Sequence, residues 1–169
     1  LPIVPHHLDI GDLYIRVGNF LGFDYRGAAG KLMGLAPYGT PKYVDVIYDN
    51  LIDVKDDGTF RLNLDFFKFH RGFRMTSRRF HALFGQPPRK AESELTPFHM
   101  DMAASIQVVT EEIVLALATS LHKETGARNL CLAGGVALNC VANGRLLREG
   151  PFDKIWIQPA SGDAGSALG

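Results

Sequence analysis

The stretch that most constrains this chain is 129 to 158. There "NLCLAGGVALNCVANGRLL" (129 to 147) reads as a short apolar strand, a glycine pair and a helix, and Gly150 with Pro151 then break the chain before a second apolar strand at 154 to 158. Upstream, residues 99 to about 125 read as one long helix that Gly126 terminates. Apolar residues surround most of that helix. Gln107 and Glu111 form only a narrow polar stripe, so the helix is expected between layers rather than on the surface. Helix, strand, helix, strand and a possible further helix predict an α/β layer with parallel strands. Ligands of such sheets gather beyond the carboxyl ends of the strands. Both glycine-rich junctions, at 134 to 135 and 162 to 165, are placed there by this reading.

The rest of the chain is less regular. Residues 13 to 21 fit a helix end or a short strand, and 28 to 36 ("AAGKLMGLA") a short helix closed by Pro37 and Gly39. Helix and strand are both open for 42 to 54. In "DDGTFRLNLDFF", Asp57 and Gly58 predict a hairpin turn, with Phe60, Leu62, Leu64 and Phe66 on one side of the following strand. The span 70 to 97 reads as an irregular excursion, its arginines either a solvated face or the rim of an anionic site.

Charge narrows the partners. Eighteen basic residues balance 18 acidic ones, leaving no bulk field to draw nucleic acid or an anionic membrane, so an anion must be held by local geometry. A hydrophobic share of 46% with 21% charged residues marks a folded globular chain. Cys131 and Cys140 read as packed thiols in a reducing, cytoplasmic setting. No apolar run reads as long enough to cross a bilayer, and the start lacks a signal-peptide pattern. A chain opening on Leu1 and stopping at Gly169 reads as a segment of a longer polypeptide.

The glycine junctions have a chemistry. A strand, a glycine pair and a helix amino terminus present unpaired N–H groups suited to phosphate or carboxylate. The spacing is neither GxGxxG nor a Walker loop. Asn139 and Asn143 are either ligands for ribose, phosphate or sugar, or local caps. Asp163, flanked by Gly162 and Ala164, suits a hard metal ion, a Mg-nucleotide or a helix cap equally. Lys31 is a phosphate contact or a surface lysine. The adjacent His6 and His7 make a poor chelate, and His70, His81 and His99 are satisfied or solvated residues.

Four motifs, "GKLMGLAPYG" (30 to 39), "DMAASIQVVTEEIV" (101 to 114), "LAGGVALNCVANGRLL" (132 to 147) and "QPASGDAGSALG" (158 to 169), resemble successive motifs of the carbamoyltransferase family that includes nodulation and antibiotic-biosynthesis enzymes. The resemblance implies that 1 to 169 is the later part of an amino-terminal domain similar to the tRNA threonylcarbamoyladenosine synthase. Its implied fold is RNase H-like, of the actin/Hsp70-like (ASKHA) superfamily: a partial α/β domain with a mixed sheet and flanking helices. A YrdC-like domain is expected outside this chain. That domain would make carbamoyladenylate from carbamoyl phosphate and ATP, and the present one would pass the carbamoyl group to a hydroxyl of a small molecule such as a sugar or antibiotic. By the same resemblance Gly134, Gly135 and Asn139 face the nucleotide; Asn143, from its place on the same helical face as Asn139, and Gly162, from the second glycine junction, are read as cofactor-binding beside them. Asp163 would help hold a divalent metal, Fe(II) or Mg(II), and Lys31 matches the motif lysine.

Two departures stand out. The His-x-x-x-His pair that accompanies the metal aspartate is absent from this chain, so the isolated segment is expected to be inactive alone, and Ala29 stands where an acidic residue is expected. A sugar- or acetate-kinase-like phosphotransferase and a non-catalytic nucleotide-binding module remain the other readings.

Overall fold

A computed structural model of the chain describes residues 9 to 25, 27 to 68, 75 to 162 and 165. Asp163 and Ala164, His6, His7 and His70 lie outside the described residues. The chain divides into two compact units: residues 1 to 53 with 60 to 109, and residues 54 to 59 with 110 to 169.

The first unit is helical. Helix α1 (Ile10–Phe20) begins at Asp9, whose carboxylate accepts from the Asp12 N–H; this settles the ambiguity over 13 to 21 in favour of a helix. Helix α2 (Ala28–Leu35) runs into a 3-10 turn at Ala36–Tyr38. Helix α3 (Val44–Asn50) is followed by strand β1 (Ile52–Val54), so the span that fitted both element types contains both. Strand β2 (Phe60–Leu62) forms a two-stranded sheet with β1. It ends sooner than the alternation predicts. Asn63 caps a 3-10 turn at Leu64–Phe66, which leaves Leu64 47% exposed instead of aligned with Leu62.

The span expected to be irregular holds helix α4 (Arg78–Phe84), capped by Ser77 and closed by Gly85 in the left-handed region at φ 64°. Phe80 drives it inward: its ring lies 4.9 Å from both Phe20 and Phe84, and it is fully buried. Arg89 is not a solvated charge. Its N–H donates to Phe20 O at 3.0 Å and its Nε to Leu21 O at 2.5 Å, stitching this span to the end of α1.

Helix α5 (Pro97–Thr125) contributes its first half to this unit and its second half to the other. Thr96 precedes Pro97, and His99 accepts the Thr96 N–H on Nδ1 at 2.9 Å, taking the reciprocal part of a capping box that Glu or Gln usually plays. The expectation that no apolar run could span a bilayer is corrected by α5, which is long enough and has an 18-residue window of mean hydropathy 1.4. Of that window 56% is buried within the protein, with Met102, Ala103, Ile106 and Val109 fully so, as the between-layers reading requires of a core helix.

The second unit is an α/β layer. Gly126, at φ 63°, ends α5 by donating to His122 O at 2.8 Å. Strand β3 (Asn129–Leu132), a 3-10 turn at Gly135–Leu138, helix α6 (Cys140–Glu149) and strand β4 (Lys154–Ile157) follow. The strands pair in parallel, with Leu130 opposite Ile155 and Cys131 opposite Trp156. On the inner face Leu130 joins Ala118, Leu146 and Phe152, with Val114, Leu115, Leu132 and Ile155 packed against them. The hairpin turn belongs to this unit: Lys55 N–H donates to Thr59 O at 2.8 Å, and a Cβ on Gly58 would lie 2.5 Å from Leu117 N, so only glycine fits this seat on α5. Among the described residues the sheets are two pairs, giving a mixed α/β fold with small sheets and flanking helices.

Candidate functional site

The parallel ladder continues past the strands into both glycine junctions. Gln158 N–H donates to Leu132 O at 3.3 Å, and Gly134 N–H to Ser161 O at 2.8 Å. The loop after β3 and the loop after β4 are thus tied side by side, as a shared carboxyl edge requires. Gly134 sits at φ 97°, a conformation that strains any side chain, and a Cβ on it or on Gly135 would meet nothing within 4 Å. Both glycines are exposed. No acceptor for the Gly135 or Val136 N–H is found among the described residues.

The two asparagines have local work. Asn139 caps α6, its Oδ1 accepting from the Ala142 N–H at 3.0 Å. Asn143 is buried and donates through Nδ2 to Ala137 O at 2.7 Å, which holds the 3-10 turn against the helix. The pair therefore fixes the shape of the segment that carries the two donors. Gly162 is half-buried, and a Cβ on it would lie 3.5 Å from Leu138 Cδ1, an ordinary contact. Ser161, which the sequence did not single out, has a buried hydroxyl without a hydrogen-bond partner among the described residues. Only the apposition of the two loops reveals it.

Cys131 and Cys140 are exposed rather than packed, and neither forms a disulfide. Cys131 falls on the outer face because strand alternation gives the inner face to Leu130 and Leu132. No group of three His, Cys, Asp or Glu side chains disposed to hold a metal exists among the described residues. An open cleft of about 460 Å³ in this unit is lined by Asp56, Asp57, Glu112 and Lys123 among others, and none of the residues singled out above as ligands lines it.

Lys31 lies in the first unit, exposed on α2, with Nζ 6.0 Å from the Phe23 ring centroid. The end of the motif around it is structural. A Cβ on Gly39 would lie 2.1 Å from Met100 O, so this segment sits directly on the backbone of α5. Asp101 then accepts the Thr40 N–H at 2.8 Å and the Lys42 ammonium at 2.7 Å, while Ser105 Oγ accepts the Tyr43 N–H at 2.9 Å. The Lys42 hydrogen bond and the Thr40 N–H hold the Asp101 carboxyl below the usual carboxylate range. The end of the motif at 30 to 39 and the residues just after it are thus fastened to the start of the motif at 101 to 114, which neither motif discloses alone. Of the histidines, His81 stacks on Phe20 and shares a 2.9 Å hydrogen bond with Thr76.

Comparison with known proteins gives this arrangement its class. Residues 2 to 169 match the family described as carbamoyltransferase N-terminus, and the chain belongs to that family. It is 61% identical over 165 residues to an uncharacterized protein of Synechocystis sp., covering 98% of this chain and 26% of that protein. It is 38% identical over 169 residues to nodulation protein NolO of Bradyrhizobium diazoefficiens (98% and 28% covered) and 31% identical over 182 residues to nodulation protein U of the same organism (95% and 30%). The chain spans about a quarter to a third of the length of these relatives.

Proposed function

We propose that the chain is one segment of the amino-terminal domain of an ATP-dependent carbamoyltransferase, with an RNase H-like, ASKHA-type core completed by polypeptide beyond 1 to 169 and a YrdC-like domain elsewhere in the protein. The observation that carries the nucleotide part is the open space over Gly134 and Gly135 together with the N–H groups of Gly135 and Val136, which have no acceptor among the described residues. Two donors fixed in advance suit a phosphate oxygen and need no reorganisation when it arrives. Family membership supports the carbamoyl chemistry.

In this reading the donor is carbamoyladenylate, made from carbamoyl phosphate and ATP. Gly134 and Gly135 admit its phosphate and Asn139 and Asn143 hold the loop in shape, with Gly162 alongside and Lys31 as a further phosphate contact. The acceptor, a hydroxyl of a sugar or similar small molecule, attacks the carbamoyl carbon; its proton is lost, the bond to the phosphate oxygen breaks, and AMP leaves. The chain's part is to bind and orient a mixed anhydride already disposed to transfer. The described residues do not by themselves make a metal centre, so a divalent ion, Fe(II) or Mg(II), enters the proposal only as one held by Asp163 with ligands from outside this segment, and no step is assigned to it.

The test uses the full-length protein containing this chain, with carbamoyl phosphate, ATP and Fe(II) or Mg(II). Pyrophosphate formation and carbamoylation of an alcohol or sugar panel are expected. Asp163→Ala should abolish transfer and leave pyrophosphate formation intact. ADP as the product would establish the kinase-like alternative, and nucleotide binding without turnover the non-catalytic module. Transfer indifferent to Asp163 would remove that residue from the site.

A further inference from the structure

We infer that Leu138 is the seat of the nucleoside base in the proposed site, an apolar ledge on which the flat end of the ligand rests while its phosphate meets the turn at Gly135. This rests on the nucleotide reading of the glycine junctions and adds to it the residue that tells a nucleotide from a bare sugar phosphate. Leu138 ends the 3-10 turn Gly135–Leu138 and is 53% exposed, whereas Ala137 beside it is buried. An exposed leucine alone signifies little. Its place in the junction carries the inference.

Residues three apart in a 3-10 turn eclipse each other, so Leu138 projects along the same edge of the turn as Gly135. At about 2 Å of rise per residue the two are separated by about 6 Å. The Gly135 end supplies an N–H with no acceptor among the described residues and a Cβ position with nothing within 4 Å. The Leu138 end supplies exposed hydrocarbon. Leu138 also reaches the second loop: a Cβ on Gly162 would lie 3.5 Å from its Cδ1, and glycine there puts no side chain over it. The two loops are held together by the Gly134 N–H donating to Ser161 O, and Ser161 brings a buried hydroxyl without a partner to the same place. Polar groups in want of a partner at one end and hydrocarbon at the other match a ligand with an anion and a flat, weakly hydrated face joined by a short spacer. A nucleoside monophosphate unit has that form. Apolar walls with a few placed polar groups are also the usual make-up of small-molecule sites. A sugar phosphate, hydroxylated throughout, gains nothing from the ledge. Residues 163 to 169, which follow Gly162 directly, are the competing cover for Leu138, and the test separates the two.

The test is titration calorimetry of the full-length protein with AMP and with ribose 5-phosphate. Only the binding event that Gly135→Ala weakens is scored, so that a nucleotide site elsewhere in the protein does not count. AMP is expected to bind about tenfold more tightly than ribose 5-phosphate, and Leu138→Ser should remove most of that ratio by weakening AMP alone. Leu138→Met, which keeps the hydrocarbon, should restore it. AMP affinity indifferent to Leu138→Ser but still weakened by Gly135→Ala overturns this inference and leaves the nucleotide reading standing. A lowered melting temperature of Leu138→Ser with an unchanged ratio of the two affinities also overturns it, since the leucine would then be packed under residues 163 to 169. Binding of neither ligand, or none that depends on Gly135, overturns both.

Discussion

Glycine is placed for opposite reasons at Gly39, in the first unit, and at Gly134 and Gly135, in the second. Gly39 occupies filled space: a side chain there would collide with the backbone at Met100 and Asp101, and the residues after it are fastened to α5 by three hydrogen bonds. Gly134 and Gly135 border open space, with nothing for a side chain to strike and backbone donors left over among the described residues. Both lie in short glycine-bearing motifs that look alike in sequence. Gly39 closes a packed contact, and the glycine pair leaves room for something the segment does not itself supply.

The comparison breaks most readily at Gly39. Gly39→Ala should destabilise the protein by about 3 kcal/mol, since the obstructing atoms are helix backbone that cannot move aside; denaturant unfolding that shows no shift in midpoint would remove the filled-space reading. Asp101→Ala comes next, at about 2 kcal/mol for a buried acceptor withdrawn from the Thr40 N–H. Its pH dependence follows from the same contacts. The folded-state pKa of Asp101 is lowered, so its contribution is complete above the ordinary carboxylate pKa and is lost as pH falls through the lowered value. The slope of stability against pH below about pH 4 should therefore be shallower in the Asp101→Asn variant than in the wild type, as acid titration of unfolding would show.

At the other region the order of effects reverses. Gly134→Ala is expected to cost about 1–2 kcal/mol through its positive φ. Gly135→Ala should change stability by less than about 0.5 kcal/mol, having no neighbour to disturb. Under the proposed function the same Gly135→Ala variant weakens nucleotide binding, read by calorimetry with AMP and ATP. A Gly135 variant as unstable as the Gly39 one would erase the contrast between the regions.

The smallest effect belongs to His99. Burial, followed by the nearby Arg89 charge, lowers its pKa, and its neutral Nδ1 accepts the Thr96 N–H. The contribution is present above the ordinary histidine pKa and lost as pH falls through the lowered value. His99→Gln keeps the capping acceptor without the titration, so a small melting-temperature loss from pH 7 to pH 5 in the wild type should vanish in the variant.

Sequence periodicity was enough wherever one local signal governs a segment. The short apolar runs before the glycine pair and at 154 to 158, the glycine pair itself and the break at Gly150 and Pro151 set the strand–helix–strand order and put the two junctions on one edge. Uniform hydrophobicity marked α5 as a core helix, and Gly126 marked its end. These features depend on neighbours a few residues away, and steric and hydrogen-bonding rules act directly at that range.

Tertiary structure decided the rest because the controlling partners are distant in the chain. Helix α4 forms in a span rich in proline and arginine because Phe80 finds Phe20, and Arg89 is drawn out of solvent by the carbonyl of Leu21. Strand β2 stops at Leu62 because the cap at Asn63 turns the chain before alternation can continue. Whether an asparagine binds a ligand or a carbonyl, and whether a glycine borders a helix or open space, depends on which atoms other segments bring near. Local sequence determined where this chain could be strand, helix or turn; which of its small residues close a core and which leave an open edge was decided by contacts between distant segments, such as that of Thr40 with Asp101 across 61 positions.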